Sequence, residues 1–93
     1  MSDILHQLYA RIESRKTNPS SDSYTAKLFA AGEDEIVKKI GEEAIEVIVA
    51  AKGQGDERIV AETADLIYHT LVLLAARGIA WRAVEEELKR RFR

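Results

Sequence analysis

The chain has 93 residues, 46% hydrophobic and 32% charged, enough for one small domain with a core and too few for a multi-domain enzyme. Fourteen Lys and Arg against 16 Asp and Glu leave a formal charge of -2, so no overall field draws the chain to nucleic acid or to an anionic membrane, and any polyanion has to be met by a local patch or through a metal. The absence of cysteine excludes a disulfide framework, thiol catalysis and thiolate-bound zinc or iron.

The N-terminal stretch MSDILHQLYARIESRK interleaves charge with apolar residues and lacks the basic-then-apolar order of a signal peptide. No apolar run reaches the roughly 18 residues of a membrane span. These features predict a cytoplasmic protein with one domain over residues 1–93, partnered by neither nucleic acid nor membrane. One proline and five glycines fall between stretches of helical rather than strand spacing, which predicts an all-α fold of four to five helices. The first helix runs from about Asp3, its N-cap, to about Arg15, with Ile4, Leu5, Leu8 and Ile12 on one stripe. A turn-rich segment, Lys16 to Ser23, leads into SYTAKLFAAG, a short helical piece ended by Gly32 and the one loop region long enough to act as a lid.

The second long helix is expected from about Glu33 to Lys52, with Glu33, Asp34 and Glu35 in its first turn. After the short turn Gly53-Gln54-Gly55, Asp56 is expected to cap a third long helix that reaches Arg77 and stops at Gly78. So short a link implies an antiparallel hairpin. A last helix from about Ala80 carries Trp81, Val84 and Leu88 at i, i+3, i+7 and ends in a basic tail. Tyr68, Trp81 and Phe92 are expected to be packing residues, as aromatics at helical spacing usually are.

At roughly 100° per residue, Lys39, Glu42, Glu43 and Glu46 share one arc of the second helix, between Ile36, Ile40 and Val47 on one side and Ile45 and Val49 on the other. Glu62, Asp65 and His69 do the same on the third helix at i, i+3, i+7. On a solvated face such acids pair with lysines, as Glu35 with Lys39 and Asp34 with Lys38 are spaced to do. That account fits the early acids. It does not fit Glu43, Glu46, Glu62 and Asp65, since no Lys or Arg stands between Arg58 and Arg77.

Fifteen residues separate Glu43-x-x-Glu46 from Glu62-x-x-Asp65, and an antiparallel hairpin can bring the two pairs face to face. Four clustered carboxylates cannot all stay ionised without a cation, and an all-oxygen set favours Mg²⁺ or Mn²⁺. His69 is expected to orient its neighbours by hydrogen bonding rather than to ligate metal. Around the third long helix Leu66, Ile67, Leu71, Val72, Leu73, Leu74 and Ala75 point in nearly every direction. A helix apolar all round has to be buried all round, which predicts a homodimer with a four-helix-bundle core.

SYTAKLF at 23–29, KKIGEEAIEVIVAAK at 38–52 and ETADLIYHTLVLL at 62–74 together resemble the phosphoribosyl-ATP pyrophosphatases of histidine biosynthesis, over nearly the whole chain. The first segment separates that family from the wider MazG-like and dimeric dUTPase group, which shares only the E-x-x-E…E-x-x-D pattern. The resemblance implies an all-α, usually dimeric, MazG-like fold. Glu43, Glu46, Glu62 and Asp65 then stand at Mg²⁺-ligand positions, and Glu42, pointing about 60° off that arc, is an outer group or catalytic base. Some family members carry a fused phosphoribosyl-AMP cyclohydrolase domain, for which 93 residues leave no space.

The implied reaction is hydrolysis of phosphoribosyl-ATP between its α- and β-phosphates, the second step of histidine biosynthesis, giving phosphoribosyl-AMP and pyrophosphate. Lys39, one turn before Glu43, is a candidate phosphate contact. Arg15, Lys16, Ser23, Tyr24, Thr25 and Lys27 surround the loop and are candidates for holding phosphates or the second ribose 5′-phosphate. Two other readings stand beside this one: a general nucleoside triphosphate pyrophosphatase, and a non-enzymatic helical interaction module.

Overall fold

The computed structural model describes residues 3–20 and 22–92, and Ser21 of the turn-rich segment lies outside them. Five helices follow one another: α1 (Ile4–Thr17), α2 (Tyr24–Ala31), α3 (Glu33–Gly53), α4 (Asp56–Ala76) and α5 (Trp81–Arg91). No strand occurs among the described residues, as the spacing predicts. Asp3 caps α1 by accepting from the amides of Leu5 and His6, and Ser23 caps α2 by accepting from Ala26. At α4 the expectation fails. Its N-cap is Gly55, at φ 91°, and no side chain closes the first turn, so Asp56 is the first helical residue rather than the cap. There its charge still faces the positive end of the helix.

The α3–α4 hairpin is the frame of the molecule. Against it α1 and α2 bury Tyr9, Ile12 and Leu28, which meet Ile36 of α3 and Leu71, Val72 and Ala75 of α4 in one core. Leu71 and Val72 are essentially inaccessible, and truncating side chains packed this way costs about 2–5 kcal/mol. Tyr9, not Ile4, completes the α1 stripe; Ile4 is 69% exposed. The Tyr9 hydroxyl donates to the carbonyl of Ile79, and the Lys16 ammonium donates to that of Ala75 at 2.9 Å. The second contact meets the C-terminal end of α4, where helix carbonyls lack intrahelical partners, and the first holds the turn that follows it.

Two expectations about packing need correction. Phe92 is 85% exposed and packs on nothing in the core. The apolar surface left open lies mainly on α3, where Ile45 and Ile48 are each 62% exposed, and is joined by Val60 and Ile67 of α4; α4 is better covered than its composition suggests, because α1 and α3 pack along it. By length and composition α4 is also apolar enough to cross a membrane, with a mean hydropathy of 1.5, although no single apolar run is that long. Core helices of hairpins share this property. Here Glu62, Asp65 and His69 interrupt it.

Candidate active site

The site is built where α3 and α4 run side by side. Ligand oxygens of Glu43, Glu62 and Asp65 all lie within 4.8 Å of one another. Glu43 borders the core face of α3, defined by Ile36 and Ala50, and so leans toward α4. Glu46 sits about 60° further round the helix, away from that face. It is exposed and outside the group of three.

The electrostatics of this cluster follow from its geometry. Burial pushes the Glu43 carboxyl above its ordinary value, and hydrogen bonding with Glu62 and the charge of Asp65 push the same way. Glu62 is itself buried, at 5% exposure, and is paired with the Arg58 guanidinium one turn earlier. Reasoning from the sequence stopped one residue short of that pair: the i, i+4 spacing of Arg58 and Glu62 is the signal that reveals it. One cation for three carboxylates leaves net negative charge.

The shift has a sign that can be tested. A carboxyl whose folded value is raised adds stability below its unfolded value, near 4.5, and loses it as pH rises through the folded value. As pH rises above that ordinary value, the Glu43 carboxyl therefore destabilises the metal-free fold. Glu43→Gln raises the melting temperature of metal-free protein at pH 7, and the gain disappears below about pH 4. Thermal melts in EDTA across that range check it; a lower melting temperature at pH 7 sinks the assignment.

Above the acids lies α2. The Tyr24 hydroxyl and His69 Nε2 are 2.9 Å apart, and His69 Nδ1 is 2.8 Å from the Asp65 main-chain oxygen. Beside this contact the hydroxyls of Thr25 and Tyr68 are hydrogen-bonded. Tyr68 thus does more than pack. The Tyr24 ring lies 6.2 Å from that of Tyr68 and 5.8 Å from that of His69. Burial raises the Tyr24 hydroxyl above its usual range; Lys39 opposes that shift, and Glu43, Glu35 and Asp65 add to it.

Residues 5–92 match the phosphoribosyl-ATP pyrophosphohydrolase family. Among curated relatives, a phosphoribosyl-ATP pyrophosphatase of Trichlorobacter lovleyi is 56% identical over 89 residues, 96% of this chain and 82% of its own length. One of Geotalea daltonii is 54% identical over 90 residues, 97% of this chain and 85% of its own. One of Metallosphaera sedula is 48% identical over 93 residues, the whole of both.

The chain belongs to the phosphoribosyl-ATP pyrophosphohydrolase family.

In this member of the family, the structure separates the residues singled out from sequence. Glu43, Glu62 and Asp65 converge, with His69 held between them and Tyr24. Lys39 and Glu42 lie alongside, their charged groups 3.6 Å apart. This replaces the expected Lys39–Glu35 pair, and Glu35 binds Lys38 instead. Ser23 and Thr25 are engaged within α2 and with Tyr68. Lys27 is exposed and lines a hollow of about 200 Å³ with Pro19, Ser20, Ala26 and Ala30. The structure does not bring Lys16 to the acids: its ammonium is bound at Ala75, ten residues or about 15 Å along α4 from Asp65. Arg15 donates to the Ser14 hydroxyl, 3.3 Å away.

Proposed function

We propose that this chain hydrolyses phosphoribosyl-ATP to phosphoribosyl-AMP and pyrophosphate. The observation that carries the reading is the convergence of Glu43, Glu62 and Asp65 beneath the SYTAKLF helix, in a chain about half identical to phosphoribosyl-ATP pyrophosphatases along most of their length. Three close oxygens, with the Glu43 carboxyl raised by burial and by its acidic neighbours, make a donor set suited to a hard divalent ion, and we assign Mg²⁺, or Mn²⁺ in its place. Glu43, Glu62 and Asp65 hold it, and Glu46, one turn along α3 from Glu43, is the fourth carboxylate assigned to it. When bound, the ion neutralises charge on the polyphosphate.

The protein's own groups do the rest. Glu42, outside the three-carboxylate group and beside Lys39, is the base we assign to take a proton from the attacking water. Water adds to the α-phosphorus, the bond to the bridging oxygen breaks, and pyrophosphate leaves with the electron pair. Lys39 and Lys27 supply positive charge to phosphate oxygens, and α2, with Ser23, Tyr24 and Thr25, shapes the site for the remainder of the substrate. Arg15 and Lys16 are the remaining candidates for the second ribose 5′-phosphate; for Lys16 that requires releasing Ala75. The cytoplasm is the compartment we assign, with neither nucleic acid nor membrane as partner.

Turnover of phosphoribosyl-ATP, ATP and dUTP measured side by side tests this reading against a general nucleotide pyrophosphatase. A preference for phosphoribosyl-ATP supports it, and equal turnover of all three overturns it. A helical interaction module hydrolyses none. Lys27→Ala lowers kcat/KM for phosphoribosyl-ATP by about tenfold or more, the loss of a charge-assisted contact. Its melting temperature moves little, because an exposed lysine contributes little to folding. A destabilised variant with full turnover makes Lys27 structural.

The working unit we assign is a homodimer. Ile45, Ile48 and Val49 on α3 and Val60 and Ile67 on α4 are exposed apolar side chains of the hairpin, and a second hairpin laid across them would complete a four-helix core. Sedimentation equilibrium at micromolar concentration is expected to give twice the monomer mass of 10.4 kDa, and Ile48→Asp to shift it toward the monomer. A stable, active monomer rules the assembly out.

A further inference from the structure

His69 is 5% exposed and lies outside the group of three converging carboxylates. Its two ring nitrogens have partners of different kinds. Nδ1 faces the main-chain oxygen of Asp65 at 2.8 Å, and a carbonyl oxygen only accepts. The single-N–H tautomer that matches this contact carries its proton on Nδ1 and presents Nε2 as an acceptor. The Tyr24 hydroxyl, 2.9 Å from Nε2, must then donate its hydrogen to the histidine. A phenol has one hydrogen to give. Once it is committed to His69, the Tyr24 oxygen has only lone pairs to offer a ligand.

The side chain is well held in this state. Tyr68 stacks near the Tyr24 ring and meets the His69 ring edge-on at 4.9 Å, and the Thr25–Tyr68 bond next to it makes the attachment of α2 to α4 a two-point one. Two points fix orientation as well as position. The Tyr24 side chain is nevertheless 48% exposed, and no second hydrogen bond to its oxygen occurs among the described residues.

We propose that His69 is a positioning residue which makes Tyr24 a hydrogen-bond acceptor toward substrate, so that Tyr24 reads a donor group of the sugar or base, a ribose hydroxyl or a ring amine, and not a phosphate oxygen. A phosphate offers only acceptors at neutral pH, and an oxygen already committed as donor repels it. Phosphate binding in this site therefore falls to the lysines, and α2 distinguishes ligands by what they carry beyond the polyphosphate. This deepens the phosphoribosyl-ATP reading and rests on it for the identity of the donor. The direction of the Tyr24–His69 bond does not.

Two measurements test the proposal. Long-range ¹H–¹⁵N NMR of the imidazole of the wild-type protein is expected to show His69 protonated on Nδ1 and bare on Nε2; protonation on Nε2 overturns the proposal whatever the substrate proves to be. In kinetics, Tyr24→Phe raises KM for phosphoribosyl-ATP by about tenfold, the scale of one lost neutral hydrogen bond, while inhibition by inorganic pyrophosphate stays within about twofold. Weakened inhibition by pyrophosphate, in step with KM, means that Tyr24 holds phosphate and overturns the proposal.

His69→Phe reproduces the KM effect in wild-type background and adds nothing to Tyr24→Phe, as expected of a residue acting through its partner. His69→Gln, whose amide oxygen can accept from Tyr24, recovers part of the loss. Additive effects of the two substitutions overturn the positioning role. If His69→Phe does not fold, the tautomer and the Tyr24→Phe comparison still decide.

Discussion

Asp65→Ala is expected to lower turnover of phosphoribosyl-ATP at least about a thousandfold, because removing one of three converging carboxylates assigned to a divalent ion forfeits most of the charge neutralisation that ion gives to a leaving polyphosphate. The protein stays folded. Asp65 is exposed, and its closest charged neighbours are carboxylates, so its removal relieves repulsion rather than opening a hole in the core. Glu62→Ala is the instructive contrast: it abolishes activity too, but it also leaves the Arg58 guanidinium without its partner and costs stability. Measured turnover with circular dichroism melts separates the two. Full activity in Asp65→Ala removes the residue from the site.

Metal removal has the second large effect. Excess EDTA abolishes turnover, and Mg²⁺ added back restores it. The same titration is visible in stability without any substrate. An ion that binds only the folded chain adds about 2.7 kcal/mol at a hundredfold excess over its dissociation constant. For a domain of this size that is a rise of roughly 10–20 °C in Tm. Glu62→Gln and Asp65→Ala are expected to reduce the rise, since they remove carboxylates assigned to the ion. A melting temperature that ignores Mg²⁺, with turnover unaffected by EDTA, refutes the metal assignment.

Periodicity carried the helices well, since glycines at 32, 55 and 78 take positive φ values exactly where elements change direction. It also carried the pairing of the two acidic helices, because a two-residue link permits little besides a hairpin. What it could not resolve was rotation. On a helical wheel Glu43 and Glu46 share a face, but which of them leans toward α4 depends on where the core face falls. That is set by Ile36, Ala50 and their partners on other helices. The same holds for Lys16, which sequence groups with the loop and packing delivers to the far end of α4.

Tyr68 packs against the core as expected, but its polar role was hidden for a related reason. Its hydroxyl is satisfied by Thr25, 43 residues earlier, and nothing in local spacing records such a partner. The motif SYTAKLF marked α2 as important through family resemblance alone. The structure supplies the physical cause: adjacent residues of that segment bond adjacent residues of α4.

All of the converging acids come from one continuous stretch, residues 43 to 65, whereas α2 is eight residues long and makes its two side-chain bonds to α4 just past that stretch, at Tyr68 and His69. With selectivity assigned to α2 and reactivity to the acids, as proposed above, the two can change separately. A lineage that keeps the acids of residues 43 to 65 can exchange the α2 segment, provided residues 24, 25, 68 and 69 change as a set. Sequence drift in this architecture is expected to be quiet along the hairpin's acids and to come in matched pairs at its junction with α2.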